Sequence, residues 1–138
     1  MKTLNSQLKR FDKDVKKRIT RFKINFAKTI LFHLVDRTPV DTSKALSNWI
    51  VGLGKQKNRT IKAHKFGVSG STQSISAGVT MSLGFAIIQR AKVGEIVYIT
   101  NNVDYIELLN IGYSTQAERH YIQHCVEDAV EQMKRERI

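Results

Sequence analysis

Leu4, Leu8, Phe11, Val15, Ile19, Phe22, Phe26 and Ile30 recur at steps of three and four residues, the spacing of one face of a helix. Lys, Arg, Gln and Asp fill most positions between them. Past Phe26 the apolar set broadens to include Ala27, Leu31, Leu34 and Val35. The pattern predicts one long helix, its first half on a surface and its second half packed in the body. Pro39 disfavours the α conformation at Thr38, so the helix should end before Thr38-Pro39. About 30 residues of helix span about 45 Å, more than a compact domain of this size covers. Residues 1–25 are therefore expected to project as a basic helix or to lie against a neighbour.

Beyond Pro39, Asp41 or Thr42 is suited to cap a short helix. Trp49–Leu53 reads as a strand ended by Gly54. Residues 54–74, rich in Lys, Gln, Ser and Gly, read as a flexible basic loop or arm with a weak strand near 60–68. Ile75, Val79, Leu83, Ile87 and Ile88 predict a helix over 74–92, although Gly78 and Gly84 oppose it. Glu95–Asn101 is the clearest strand, turned by Asn101-Asn102. Residues 103–111 predict a short helix with Gly112 as its C-cap. Residues 116–135 predict a last helix, with Tyr121, Cys125, Val126, Ala129, Val130 and Met133 on one face. The fold class expected is α+β: a long N-terminal helix, a small antiparallel sheet and further helices including a C-terminal one. No internal repeat is visible, and 1–138 reads as a single domain.

Charge changes this picture. The 138 residues hold 23 Lys and Arg against 12 Asp and Glu, a net +11 with a pI of about 10.0. Residues 1–28 carry ten basic side chains and two acidic ones, and 55–65 carry five basic ones and no acid. Residues 95–131 hold seven acids against Arg119 alone. Such a two-faced chain suits a polyanion, or head-to-tail contact between copies of itself. The 41% hydrophobic and 25% charged residues are a globular composition. One cysteine excludes an internal disulfide framework and suggests a reducing compartment. No run of about 18 apolar residues marks a membrane span, and no apolar core of a signal peptide follows Met1.

The chain shows no enzyme signature: no phosphate-binding glycine loop, no nucleophile elbow, no paired-cysteine metal site. His120, His124 and Glu127 have helical metal-ligand spacing, but pairs of this kind arise readily by chance. No catalytic residue, metal or cofactor is therefore expected. Cys125 on an apolar face reads as a buried structural thiol. Lys13, Lys16, Lys17 and Arg21 on the first helix, with Lys55, Lys57, Arg59, Lys62 and Lys65 in the loop, are the candidate contacts with DNA or an acidic partner. The loop lacks the interleaved aromatics of single-strand binders. The helix lacks the second helix of a helix-turn-helix reader, so any DNA binding should be non-specific.

Two blocks carry a resemblance. Thr38-Pro39-Val40-Asp41-Thr42 runs on to Ser47-Asn48-Trp49. Gly94-Glu95-Ile96-Val97-Tyr98-Ile99-Thr100-Asn101-Asn102-Val103-Asp104-Tyr105-Ile106 runs on through Gly112-Tyr113-Ser114-Thr115-Gln116-Ala117. In order and spacing they resemble the neck or tail-completion (head–tail joining) proteins of tailed bacteriophages, over residues 38–53 and roughly 75–130. Ser43 stands where that family commonly has Gly, and Glu118 where Pro commonly follows Gln-Ala.

The resemblance implies a non-catalytic structural subunit of a homo-oligomeric ring, with six copies favoured and twelve the alternative. The ring would sit in the virion between the portal–adaptor complex and the tail tube, assembled in the host cytoplasm, and leave a channel for genomic DNA. Asp41, Thr42, Trp49, Tyr105, Glu107, Gly112 and Gln116 are then the expected subunit or partner contacts. A non-specific nucleic-acid-binding protein is the alternative. No membrane partner is expected.

Overall fold

The computed structural model describes residues 2–136. Met1, Arg137 and Ile138, which belong to the expected single domain, lie outside the described residues. Seven elements follow in order: α1 (Lys2–Arg37), α2 (Lys44–Ser47), β1 (Ile50–Leu53), α3 (Gln73–Ile88), β2 (Val97–Thr100), α4 (Ile106–Asn110) and α5 (Tyr121–Met133). The fold is α+β, as the periodicity implies.

Helix α1 runs for 36 residues, about 54 Å, and stops where Pro39 requires. Its rear half packs against α3 and α5. The buried positions are Ile24, Ala27, Leu31, Leu34 and Val35. At about 100° per residue, this face lies about 150° around the helix from the line of Leu4, Leu8, Phe11, Val15, Ile19 and Phe22. The sequence reading ran the two together as one broadening stripe; they are separate. Leu4, Leu8, Phe11 and Ile19 are 45%, 56%, 68% and 54% exposed. The front half of α1 projects, and its apolar line faces away from the body.

Strands β1 and β2 pair antiparallel, with Ile50 opposite Thr100 and Leu53 opposite Val97. The sheet has two strands, too few to stand alone, and α3 packs on β1. Gly84 explains how. A Cβ there would run into the Leu31 side chain and touch Val51, so its absence lets α1, α3 and β1 close to contact. The core comprises these residues with Leu46, Trp49, Ile88, Tyr121 and Cys125.

Several element ends differ from the sequence reading. No strand forms at 60–68. Helix α3 stops at Ile88, and Ala91 N–H closes a turn onto the Ile88 carbonyl. Strand β2 spans only Val97–Thr100, and α4 begins three residues late, after Asn101 Oδ1 accepts the Val103 N–H in a side-chain turn. Helix α5 begins at Tyr121 because His120 is left-handed (φ 62°), which no right-handed helix continues through. Neither Asp41 nor Thr42 caps α2. Ser43 precedes it with φ 72° and makes no side-chain cap, while Asp41 Oδ1 accepts the Ser69 N–H at 2.8 Å. Gly112 ends α4 as expected. It has φ 93°, its N–H bonds the Leu109 carbonyl and the Tyr113 N–H bonds Leu108, a Schellman closure.

Candidate functional site

The two resembling blocks meet in space. The Gln116 side chain accepts the Val40 N–H at 2.8 Å and donates to the Val40 carbonyl at 3.2 Å. This two-way bond across 76 residues mimics a strand pair and holds the turn before α2 against the loop after α4. Between them lies a cleft of about 430 Å³ walled by Pro39, Asp41, Thr42, Tyr105, Leu109 and Gln116. Burial raises the Tyr105 phenol, and the carboxylates of Asp104 and Asp41 push it further, against the Ala45 backbone. The phenol therefore stays neutral and remains a hydrogen-bond donor. Asp41, Thr42, Tyr105 and Gln116 thus share one wall, Gly112 turns the loop beside it, and the Glu107 side chain is exposed on α4.

Trp49 is placed elsewhere. It is 6% exposed, and its indole N–H donates to Thr38 Oγ1 at 2.7 Å. Thr38 Oγ1 also donates to the Leu34 carbonyl at 2.6 Å and lies 3.5 Å from the Tyr121 hydroxyl. The indole therefore fastens the core beneath the Thr38-Pro39 turn rather than presenting a free contact surface. The same burial raises the Tyr121 phenol, with the Thr38 hydroxyl opposing.

The basic residues form two sets. Lys13, Lys16, Lys17 and Arg21 continue the line of the buried face of α1, not its apolar line, and overhang a groove of about 750 Å³. The far wall is the turn after α3, with Gln89, Lys92 and Val93. Lys23 Nζ ties α1 to that turn by donating to the carbonyls of Lys92 (2.9 Å) and Glu95 (2.6 Å). Asp12 also lines the groove and pairs with Lys16 at 2.9 Å.

Lys55, Lys57, Arg59, Lys62 and Lys65 form the second set, all exposed. Their loop was expected to be a flexible arm, but its backbone is tied to the body. Asn48 bonds both the N–H and the carbonyl of Ile61, at 2.8 and 2.9 Å. Thr100 and Asn102 each donate to the Lys57 carbonyl at 2.9 Å. His64 N–H donates to Ser47 Oγ at 3.0 Å, and Thr72 Oγ1 donates to the Lys65 carbonyl at 2.7 Å. Gly52 permits the strap, since a Cβ there would strike the Lys55 carbonyl. The strap holds five cations outward at little further ordering cost. Partial burial lowers the His64 imidazole, favouring its neutral form.

His124 Nδ1 faces Glu118 at 2.8 Å. Among the described residues, no three His, Cys, Asp or Glu side chains are grouped to hold a metal ion. Cys125 is fully buried, and burial raises its thiol to about 11. Among the described residues, no helix is long and apolar enough to cross a membrane.

Lys23, Lys92 and Val93 escaped the sequence reading. Lys92 is the last residue of the predicted helix and Val93 the first beyond it, where no periodicity connects them to residues some seventy positions earlier. No family model, curated protein or solved structure matches this chain.

Proposed function

We propose that this chain is a non-catalytic structural subunit of a bacteriophage neck or tail-completion ring. In that role it joins the portal–adaptor complex of the head to the tail tube and leaves a channel for the genome. The observation that carries the reading is the Gln116–Val40 clasp. It makes one rigid wall of the two blocks on which the resemblance rests, although 76 residues separate them. Ser43 adds support: it stands where the family commonly has Gly and adopts the left-handed conformation that Gly favours. A projecting helix and separate basic and acidic regions suit heterologous contacts, which close into a ring when the rotation divides the circle. Six copies are favoured, with twelve the alternative, and the assembled protein belongs to the virion. Imaging of particles made without this protein tests the reading. Unjoined heads and tails are expected; normally joined particles would reject it.

The outward-held cations of 55–65 favour a second reading, non-specific nucleic-acid binding. It predicts duplex affinity that falls steeply with salt. No detectable binding at low salt would eliminate it.

A further inference from the structure

The groove under α1 combines two features that a phosphate backbone does not need together. Ile24 and Val93 give it an apolar floor, while Lys13, Lys17, Arg21 and Lys92 line its edges. None of these four cations has an ion-pair partner among the described residues. An apolar floor with cationic edges matches an amphipathic acidic helix. The chain itself displays one. On α5, Val126 and Val130 are 40% and 38% exposed, and Glu127 and Glu131 lie on the adjoining exposed face.

The lengths agree. The thirteen residues of α5 span about 20 Å, as do the groove-lining residues 12–25 of α1. In its own chain α5 buries Tyr121, Cys125, Ala129 and Met133 against the body. Val126 and Val130, expected on that face, instead border it half-exposed, with Glu127 and Glu131 beyond them, open to a second molecule.

We infer that the groove beneath α1 receives the outer face of α5 from a second copy of this chain. Val126 and Val130 sit over Ile24 and Val93, and Glu127 and Glu131 meet the lysines and arginine at the edges. Glu131 exchanges its own partner Lys134, 2.9 Å away on the same helix, for these cations. Groove and α5 face are different surfaces, so the contact is head-to-tail and propagates around a closed ring. DNA is disfavoured here because exposed Val93 would be buried against phosphates. The inference deepens the ring reading by naming its subunit contact, and rests on that reading only for closure and copy number.

The test is sedimentation velocity of the full chain at low and high salt. Wild type should associate at low salt and weaken as salt rises. Lys17→Glu with Arg21→Glu should weaken association at least ~10-fold, as should Glu127→Lys with Glu131→Lys. Circular dichroism and Tm should stay unchanged, since all four side chains are exposed. Mixing the two double variants should restore association between them. A monomeric wild type at low salt, or a mixture that stays monomeric, would overturn the contact. So would groove variants that lose duplex DNA binding while self-associating normally, which would make DNA the occupant. Association through these faces in a protein that does not join heads to tails would keep this contact and reject the neck assignment.

Discussion

The side-chain amide of Gln116 pairs with both backbone groups of Val40, accepting at 2.8 Å and donating at 3.2 Å. One side chain thereby replaces a strand in holding the Thr38–Thr42 turn to the acidic third of the chain. Gln116→Ala should cost about 1–2 kcal/mol and speed hydrogen exchange at the Val40 amide. Gln116→Glu should cost more at neutral pH, because its carboxylate faces the Val40 carbonyl, and recover as that carboxyl protonates. Urea unfolding and amide exchange together check both. A neutral Gln116→Ala with unchanged Val40 exchange would show that the turn holds itself.

Thr38 is the polar centre of the core. It is 2% exposed and accepts the Trp49 N–H while bonding the Leu34 carbonyl. Thr38→Val keeps the shape and strands the indole N–H, at a cost of about 1–3 kcal/mol. In a Trp49→Phe background that cost should shrink, because the indole donor is gone and only the long 3.5 Å bond from the Tyr121 hydroxyl is lost. The coupling from a double-mutant cycle measures it.

The two glycines of α3 should respond oppositely to alanine. Gly78 has open space around its missing Cβ, so Gly78→Ala should stabilise by about 0.5–1 kcal/mol. Gly84→Ala should destabilise by about 1–3 kcal/mol, because the added methyl meets fully buried Leu31. Thermal melts of both variants decide this.

Ser43 combines a left-handed backbone with a hydroxyl bonded to Thr72 Oγ1 at 2.9 Å. Ser43→Gly relieves about 1 kcal/mol of backbone strain and gives up a bond of similar value, so Tm should barely move. Ser43→Val keeps the strain, loses the bond and adds β-branching in a fully packed site. It should lower Tm by several degrees.

Cys125 should resist alkylation in the native protein. Burial raises its thiol to about 11; Arg37 opposes this, and Asp128, Asp36 and Glu118 add to it. Thiolate is then only about 1% at pH 9, and the sulfur is fully covered. Iodoacetamide labelling should be slow at pH 8 and complete after unfolding. Rapid native labelling would mean that α5 opens away from α1.

Local chemistry was enough for the existence of the helices and for some of their ends. Pro39 ends α1, Gly112 ends α4, and β-branched and aromatic residues mark β1 and β2, because propensity and periodicity act over a few residues. The same local view misjudged α1's faces, since apolar spacing alone does not say which side finds a partner. It also extended α5 back to Gln116, whose side chain is committed to Val40, and read the 54–74 segment as free although Asn48, Thr100 and Asn102 bind its backbone. The groove between Lys17 and Lys92, the burial of Trp49 and the need for glycine at position 84 depend on segments distant in sequence coming within a few ångströms. Composition and periodicity determine the elements and the charge of this protein. Which surfaces are spent inside the molecule, and which are left for a partner, is decided only when long-range packing and hydrogen bonding bring those segments together.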